Sequence, residues 1–429
     1  MVLRAHPSRL FVEVTTRCNL QCGMCVKQNG EGSITEGTMS SEIYETLTPA
    51  FPHLDSLVLN GIGEPLLNPH LEEFIARARQ LLPDHASIGF QTNGMLLTDE
   101  RARSLVAAGL DRICLSLDSV TDDSFRSIRS GGELAGVASA FVSLNRARVG
   151  QNGLNLQIGI EFVLMRSNFA DLPNTVRWAS RAGANFIIVT QLMPYQRDAA
   201  AQAGYDTNTI SAISIYERWK EQAAQEGLDI RRYLDTITKV GRSRDEERVV
   251  ELVAGMQTDA QAQGITLHLG RLLRRDEARI AKVEAVLDEA REVAEEAGIE
   301  LTLPGMAPRN TRRCEFVESG GAFVSWDGKV HPCYFLWHRY ACYVGGVEKR
   351  VKPWVLGSLQ ERGILDIWND AESRYFRERV QGYRFPFCYD CGFALCDYVG
   401  EEDFEQDCYI QKVPCGSCLW CTGLFHCLQ

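Results

Sequence analysis

The first reactive side chains of the chain are three closely spaced cysteines. Cys18, Cys22 and Cys25 form the pattern C-x3-C-x2-C directly after a run that predicts a strand. Three thiolates this close together can hold an iron–sulfur cluster or zinc. A structural zinc site takes a fourth protein ligand, and none is obvious here because His6 lies before the strand. A [4Fe–4S] cluster held by three cysteines leaves one iron open to a small molecule.

A second field of cysteines lies at the other end of the sequence. Eleven of the 15 cysteines fall between Cys314 and Cys427, which indicates either a disulfide scaffold or a metal scaffold. The stretch from Met1 to Arg17 lacks the apolar core of a signal peptide, and no apolar run reaches the roughly 18 residues of a membrane span. We therefore expect a cytoplasmic protein without membrane contact, whose thiols serve metal or redox chemistry.

The composition of the 429 residues is that of a globular protein, with 45% hydrophobic and 24% charged residues. These fractions exclude collagen-like and disordered chains. The formal net charge of −11 disfavours nucleic acid as a partner, since broad nucleic-acid binding requires a basic surface. At roughly 100–200 residues per domain, the length predicts two or three domains.

Short apolar runs alternate with helical stretches over residues 9–195, which predicts a parallel sheet covered by helices, an α/β fold. Six strand–helix units are too few for a complete eight-stranded barrel, so we expect a partial (β/α)6 TIM-like barrel. In such barrels the chemistry lies at the carboxyl ends of the strands. The predicted strands are Leu10–Thr15, Ser56–Asn60, Ser87–Thr92, Arg112–Asp118, Leu156–Val163 and Phe186–Thr190.

The fourth predicted strand has one polar face. Cys114, Ser116 and Asp118 alternate with apolar residues, so they share the face that could line a cavity. Ser116 and Asp118 would lie near its mouth. The alternative for Asp118 is that it only caps the next helix.

We expect three parts in the chain. Residues 1–198 form the partial barrel, and residues 199–309 form a helical bridge that includes two short strands, Gln263–Leu269 and Ala297–Leu303. Residues 310–429 form a cysteine-rich end in which Gly363–Val380 is the one long helix. A domain with so small an apolar core needs additional cross-links to be stable, and metal clusters bound by thiolates would supply them.

At Val14-Thr-Thr-Arg-Cys-Asn-Leu-Gln-Cys-Gly-Met-Cys25 the sequence resembles the radical S-adenosylmethionine (SAM) superfamily, whose signature is C-x3-C-x2-C after the first strand. Asn60-Gly-Ile-Gly-Glu-Pro65, after the second strand, resembles the glycine–glutamate motif that holds the SAM amino group in that family. Gln91-Thr-Asn-Gly94 closes the third strand as in relatives. Gly159-Ile-Glu-Phe-Val163 and Leu192-Met-Pro194 match the later strands that wrap adenine.

This resemblance implies the cofactors and the reaction. Cys18, Cys22 and Cys25 would bind a [4Fe–4S] cluster whose open iron chelates SAM. One electron from the reduced cluster would cleave SAM to methionine and a 5′-deoxyadenosyl radical, which abstracts a hydrogen atom from the substrate. A general base is not implied. The implied SAM-binding residues are Met24, Gly63, Glu64, Asn93, Ser116 and Asp118.

The spacing C-x13-G-x4-C from Cys314 to Cys333 resembles the opening of the SPASM domain found in radical SAM maturases. That resemblance implies two auxiliary [4Fe–4S] clusters, which need about eight thiolates. Cys342, Cys421 and Cys427 would be surplus or alternate ligands. Zinc is the alternative to an iron–sulfur cluster at Cys415 and Cys418. The implied ligands are Cys314, Cys333, Cys388, Cys391, Cys396, Cys408, Cys415 and Cys418.

The family resemblance implies a maturase that abstracts hydrogen from a peptide or protein and takes electrons from a reductant such as ferredoxin or flavodoxin. Val413-Pro-Cys-Gly-Ser-Cys-Leu-Trp420 also resembles the maturases encoded with tungsten-containing aldehyde oxidoreductases, so such an oxidoreductase or its cofactor is the alternative substrate. A radical enzyme acting on a small molecule and a non-catalytic electron-transfer protein are further alternatives. The glycine–glutamate loop argues against an electron-transfer protein, because in the family that loop binds SAM.

Overall fold

The structure of the protein is a computed structural model that describes residues 3–28, 34–150, 156–345, 347–386, 388 and 406–429. The described part forms one ten-stranded sheet and one two-stranded sheet. The strands are β1 (Arg9–Val12), β2 (Ser56–Val58), β3 (Ser87–Thr92), β4 (Arg112–Ser116), β5 (Gln157–Leu164), β6 (Phe186–Gln191), β7 (Glu300–Thr302), β8 (Gly321–Val324), β9 (Lys329–His331), β10 (Tyr340–Val344), β11 (Val347–Val351) and β12 (Gly357–Ser358).

Helices separate the parallel strands, as the alternation predicts. The described helices are α1 (Ser41–Glu45), α2 (Leu71–Leu81), α3 (Asp99–Ala108), α4 (Asp122–Ile128), α5 (Leu134–Gly150), α6 (Leu172–Ala182), α7 (Ile210–Gln225), α8 (Tyr233–Thr236), α9 (Arg244–Ala262), α10 (Leu269–Leu272), α11 (Glu277–Ala297), α12 (Glu315–Glu318), α13 (Ile364–Asn369) and α14 (Ala371–Gly382). None of them is both long and apolar enough to cross a membrane.

The large sheet has the order β12-β9-β8-β1-β2-β3-β4-β5-β6-β7. Strands β1 to β6 pair in parallel, each with the next along the chain, which confirms the predicted partial barrel. All six residues of β6 are buried, as expected of a parallel strand covered on both faces. The carboxyl ends of these strands therefore lie at one rim.

Local signals explain the bounds of the barrel helices. At the start of α3, the Thr98 side chain accepts a hydrogen bond of 3.2 Å from the Arg101 backbone N–H. The helix ends at Gly109, whose φ of 102° lies in the left-handed region that favours glycine. Such a cap at each end stops the helix at Ala108 and returns the chain to β4.

The sheet continues into the C-terminal part of the chain. Strand β8 pairs in parallel with β1 on the edge that β2 does not use, with Arg9 opposite Gly321 and Val12 opposite Val324. Strand β9 then pairs antiparallel with β8, and β12 pairs antiparallel with β9. One buried core runs from the barrel into this part. The boundaries at 198 and 309 stay a prediction.

The helical bridge has a core of its own around Tyr216, Leu252 and Met256. The predicted strand at 297–303 is present as β7, which pairs in parallel with β6. The predicted strand Gln263–Leu269 is wrong, because the residues between the end of α9 and the start of α10 form a turn and an irregular stretch without a strand.

The predicted helix Gly363–Val380 is also wrong as a single element. Asp370 is extended, with φ −67° and ψ 161°, and separates α13 from α14. Its side chain accepts hydrogen bonds from the backbone N–H groups of Glu372 and Ser373, so it begins a new helix rather than continuing the old one.

Candidate active site

A cavity of about 310 Å³ lies at the rim formed by the carboxyl ends of the parallel strands. We call it the SAM cavity, after the predicted residues that line it. Asp118 does not line it, although its neighbour Ser116 does. The predicted residues that line this cavity are Cys18, Cys22, Met24, Cys25, Gly63, Glu64, Asn93 and Ser116.

The three cysteines after β1 are free thiols that turn toward this cavity. The Cys25 backbone N–H donates to the Cys22 carbonyl at 3.0 Å, which folds the loop back on itself. Burial raises the pKa of all three thiols, that of Cys25 to about 11. Thiols with such pKa values ionise at neutral pH only when a metal binds them. Three thiols on one cavity wall therefore fit an iron–sulfur cluster.

Gly63 lets the loop after β2 approach the cysteine loop. A Cβ on Gly63 would lie 2.3 Å from the Thr15 carbonyl oxygen and 2.5 Å from that of Arg17. The Glu64 backbone N–H donates to the same Arg17 oxygen at 2.8 Å. A side chain at residue 63 would push the two loops apart.

We expect Gly63→Ala to weaken SAM binding at least tenfold, because the added methyl group displaces the backbone that carries Cys18. Equilibrium dialysis with radiolabelled SAM measures this. Gly23→Ala is the matched control, since a Cβ there meets no atom within 4 Å. Equal SAM affinity in both variants would contradict the close approach as the reason for glycine.

Glu64 is buried and joins two segments of the chain. Its carboxylate accepts hydrogen bonds from the Thr92 hydroxyl at 2.6 Å, from the Asn93 backbone N–H at 2.8 Å and from the Leu66 backbone N–H at 3.1 Å. Burial raises its pKa despite these donors. The carboxylate thus holds the end of β3 against the loop after β2. Its contact with the SAM amino group stays a prediction.

Asp118 lies behind the cavity wall. One carboxylate oxygen accepts from the Val163 backbone N–H at 2.8 Å, and the other forms an ion pair of 2.6 Å with Arg129 Nε. Arg129 lines the SAM cavity, so Asp118 fixes a cation there. A direct contact of Asp118 with SAM stays a prediction, and Arg129 is a site residue that sequence reasoning missed.

A second missed residue is Glu161, in the middle of β5. It pairs in register with Ser116 on β4 and lines the cavity. Burial raises its pKa to about 8, the nearby charge of Asp118 adds to the rise, and Arg129 opposes it. A single charged residue in the middle of a mostly apolar strand was a signal available in the sequence.

Because folding raises the pKa of Glu161, the folded state binds its proton more tightly than the unfolded chain. The stability that this proton gives is present below about pH 4.5 and is lost as pH rises to about 8. We expect the Tm of Glu161→Gln, relative to wild type, to increase from pH 5 to pH 8 by several degrees. Thermal melts across this pH range measure the difference, and a constant offset would contradict the raised pKa.

The C-terminal part of the chain also lines the SAM cavity. The Tyr334 hydroxyl donates to Asn60 Oδ1 at 2.5 Å and so touches the loop after β2. Buried Glu13 accepts from the Ile62 backbone N–H at 3.2 Å and contacts His338 Nε2 at 3.0 Å. The residues of this part that line the cavity are Tyr334, Trp337, Trp420, Phe425, His426 and Cys427.

The segment 424–429 runs along the strands of the barrel. Its Leu424 carbonyl accepts from the Gln191 backbone N–H at 3.2 Å, and its His426 backbone N–H donates to the Thr190 hydroxyl at 3.1 Å. Further along, Arg112 Nη1 donates to the Gln429 carbonyl at 3.2 Å. The segment therefore reaches from the carboxyl end of β6 to the start of β4.

A second cavity, of about 40 Å³, is lined by thiols of the C-terminal part. Burial raises the pKa of its Cys314 to about 12, whereas a hydrogen bond from the Cys421 thiol lowers the pKa of Cys418. Such a set of thiols fits an iron–sulfur cluster. The cysteines that line it are Cys314, Cys333, Cys415, Cys418, Cys421 and Cys427. We call it the auxiliary cavity.

Of the other four predicted ligands, the structure describes Cys388 and Cys408, which line neither cavity. The Cys388 sulfur lies 2.8 Å from where a Cβ on Gly416 would be, so it packs against the turn that begins at Cys415. Cys408 is exposed and lines neither cavity. Cys391 and Cys396 lie outside the described residues. Their roles as ligands stay predictions.

The chain belongs to the radical SAM superfamily. Residues 12–179 match the radical SAM superfamily and residues 314–392 match SPASM, an iron-sulfur cluster-binding domain. These two domains carry a SAM-binding [4Fe–4S] cluster and auxiliary iron–sulfur clusters, which the thiols of the two cavities fit. The chain is a radical SAM enzyme of the SPASM maturase family, which confirms the resemblance stated from the motifs.

Among individual proteins, the chain is similar to the tungsten-containing aldehyde ferredoxin oxidoreductase cofactor-modifying protein of Pyrococcus furiosus. The two are 26% identical over 423 residues, 97% of this chain and 96% of that protein. The mycofactocin maturase MftC of Mycobacterium tuberculosis is 27% identical over 49% of this chain and 51% of its own. Streptococcus suis SuiB bound to S-adenosylmethionine shares the fold, with a TM-score of 0.53 at 14% identity over 96% of this chain and 76% of that chain.

Proposed function

We propose that the chain abstracts hydrogen from a protein-bound substrate, namely a tungsten-type aldehyde oxidoreductase or the cofactor that such an enzyme carries. The observation that carries this proposal is the extent of the similarity. The match to the Pyrococcus furiosus cofactor-modifying protein spans 97% of this chain, whereas that to the mycofactocin maturase spans 49%. The similarity to the mycofactocin maturase favours a second candidate substrate, a peptide.

The residues of the SAM cavity would bind the cofactors and exclude water. Cys18, Cys22 and Cys25 would hold the cluster, and Gly63 would let the backbone approach SAM. When bound, the cluster and SAM together supply one-electron cleavage and a radical that abstracts hydrogen. Arg129, fixed by Asp118, would neutralise a carboxylate of the bound SAM.

The aromatic wall from the C-terminal part would keep the radical from solvent. Tyr334, Trp337 and Phe425 are all buried and line the cavity. A site without water prevents side reactions of a reactive intermediate. We propose reduced ferredoxin or flavodoxin as the electron donor, since the cluster must be reduced before each cleavage.

The test uses aldehyde ferredoxin oxidoreductase purified from cells that lack this chain. The reconstituted chain is incubated with SAM, reduced ferredoxin and that oxidoreductase. We expect 5′-deoxyadenosine to form and the mass of the oxidoreductase or of its extracted cofactor to change. No 5′-deoxyadenosine, with dithionite as well as ferredoxin, would contradict the radical SAM reaction. 5′-Deoxyadenosine with a mass change only in an added peptide encoded beside the chain would support the second candidate.

A further inference from the structure

Three basic side chains lie together where the barrel meets the helical bridge. Arg166 follows the carboxyl end of β5, and Arg279 and Lys282 lie on α11. Arg166 and Lys282 are exposed, and Arg279 is partly buried. They stand out in a chain in which acidic residues outnumber basic ones. We call these three residues the basic patch.

Backbone carbonyls hold the two guanidinium groups of the basic patch side by side. Arg166 Nε donates to the Ala203 carbonyl at 3.0 Å, and Arg279 Nη1 donates to the Gly204 carbonyl at 2.8 Å. These two carbonyls belong to consecutive residues. Burial lowers the pKa of Arg279, and the nearby charge of Arg166 lowers it further. The two like charges are therefore held close together by the fold.

Lys282 extends the basic patch by one turn of α11. It lies three residues after Arg279, so the two side chains share one face of the helix. Its ammonium nitrogen lies 5.9 Å from the ring centroid of Phe169, in the loop that follows Arg166. Its own helix offers Lys282 no acidic partner, since the residues three and four positions away are Ala278, Arg279, Ala285 and Val286.

The positive charge of the basic patch is only partly balanced. Among the described residues, the one carboxylate within ion-pair distance is that of Asp276, whose Oδ2 lies 3.5 Å from Arg279 Nε. That nitrogen is buried and makes no hydrogen bond. The other Asp276 oxygen accepts from the Arg279 backbone N–H at 3.1 Å and caps α11. Three cations and one carboxylate leave two positive charges unbalanced.

The basic patch adjoins the SAM cavity. Met165, the residue before Arg166, belongs to one apolar cluster with Met24 and Leu192, and both of these line the cavity. Arg166 itself does not line it. A substrate held at the basic patch would therefore extend toward the cavity in which the radical forms.

We propose that the basic patch binds a phosphate monoester group of the substrate, outside the SAM cavity. This inference rests on the proposed function, because it concerns the substrate of that reaction. A phosphate monoester carries about two negative charges at neutral pH and so matches the unbalanced charge, whereas a carboxylate carries one. Its oxygens can accept hydrogen bonds from both guanidinium groups. Binding at this unreactive group would orient the hydrogen that is abstracted.

The first measurement needs no substrate. Thermal melts of the reconstituted protein with SAM are recorded with glycerol phosphate or acetate at constant ionic strength, because a ligand that binds the folded state raises its Tm. The proteins are wild type, Arg166→Gln, Lys282→Gln and the matched control Arg103→Gln. Arg103 is an exposed arginine on α3, another helix of the barrel.

We expect glycerol phosphate to raise the Tm of wild type and Arg103→Gln, and to leave that of Arg166→Gln and Lys282→Gln nearly unchanged. Acetate should raise none of them. An equal rise in every protein would overturn the proposal, because it would reflect general stabilisation by phosphate. A rise of wild type with acetate as large as that with glycerol phosphate would also overturn it and indicate a carboxylate site.

The second measurement tests the reaction with SAM and reduced ferredoxin. The substrates are aldehyde ferredoxin oxidoreductase from cells lacking this chain and the cofactor extracted from it, each with and without phosphatase treatment. We expect Arg166→Gln and Lys282→Gln to raise the KM of the untreated substrate at least about tenfold with little change in kcat. A wild-type KM raised by phosphatase treatment of the extracted cofactor would assign the phosphate to the cofactor. The same rise only with the intact oxidoreductase would assign it to the polypeptide.

Other results would contradict the proposal. An unchanged KM in both variants would exclude the basic patch from substrate binding. Weaker SAM binding by Arg166→Gln in equilibrium dialysis would assign Arg166 to SAM instead. Wild type that forms no 5′-deoxyadenosine would contradict the proposed function, whereas the melts would still report whether the basic patch binds phosphate, so the two failures are distinguishable.

Discussion

Replacing Cys18, Cys22 and Cys25 together by alanine is expected to remove about four iron atoms per chain, to leave about eight, and to abolish SAM cleavage. The three thiols lie on one wall of the SAM cavity and are free in the described structure. Without them no thiolate of the barrel faces SAM, because Cys114 is buried in β4 and does not line the cavity. Iron and sulfide counting with Mössbauer spectroscopy measures the first effect, and 5′-deoxyadenosine after addition of dithionite measures the second.

Cys114→Ala is the control for this experiment. It removes a thiol from the same barrel at a position that neither cavity reaches, so iron content and SAM cleavage should stay at wild-type values. If the triple variant kept its full iron content, the cysteine loop would not bind a cluster. If it lost all of its iron, the auxiliary clusters would depend on the first, and the assignment of the second cavity would need revision.

The second large effect is expected from Asp118→Ala. This change leaves the guanidinium of Arg129 buried without its partner and the Val163 backbone N–H without its acceptor. Removing one partner of a buried ion pair costs about 3–5 kcal/mol of stability. We therefore expect a large fall in Tm together with weaker SAM binding, because Arg129 loses its fixed position on the cavity wall.

Asp288→Ala is the matched control, since Asp288 pairs with Arg291 on the exposed surface of α11. Such surface pairs contribute about 0–1 kcal/mol. Asp118→Asn separates the two roles of the carboxylate, because an amide oxygen can still accept from Val163 while the charge is lost. Thermal melts and SAM binding at constant pH measure all three variants. An equal effect of Asp118→Ala and Asp288→Ala would show that Arg129 finds another partner.

Much of the barrel could be predicted because its signals are local. The strand Ser87–Thr92 has the predicted bounds, and the helix Asp99–Ala108 is one of the helical stretches that the alternation predicts. A run of apolar residues marks the first, and a threonine cap and a left-handed glycine delimit the second. The cysteine loop also follows from spacing alone, and its position after β1 places it at the rim where chemistry occurs.

The contacts that complete the cavity could not be predicted, because they join residues far apart in the chain. Glu13 meets His338, and Tyr334 meets Asn60, across more than 250 positions. No periodicity or spacing pattern reports such a pair. The sequence places the segment 424–429 in the cysteine-rich end, whereas in the structure it lies along the barrel strands and contributes His426 and Cys427 to the SAM cavity.

Two other differences between the predicted and the observed structure are indicated by residue types in the sequence. Asp370 follows Asn369 at the point where the predicted helix breaks, and both residue types favour helix caps over helix interiors. Glu161 is the one charged residue of β5, and a buried charge without a nearby partner in sequence often marks a functional position. The roles of Cys391 and Cys396 stay predictions, since they lie outside the described residues.

The pairing of β1 with β8 has a consequence for how the protein is made. A ribosome adds about 5–20 residues per second, so the roughly 310 residues between these strands take about 15–60 s to synthesise. During that time β1 has only β2 beside it, and its other edge exposes unpaired backbone groups to other nascent chains. We expect fragments that end before Gly321 to aggregate, and the yield of the full chain to depend on chaperones that cover this edge until β8 arrives. The same delay applies to Tyr334, so the SAM cavity is completed only after most of the chain has left the ribosome.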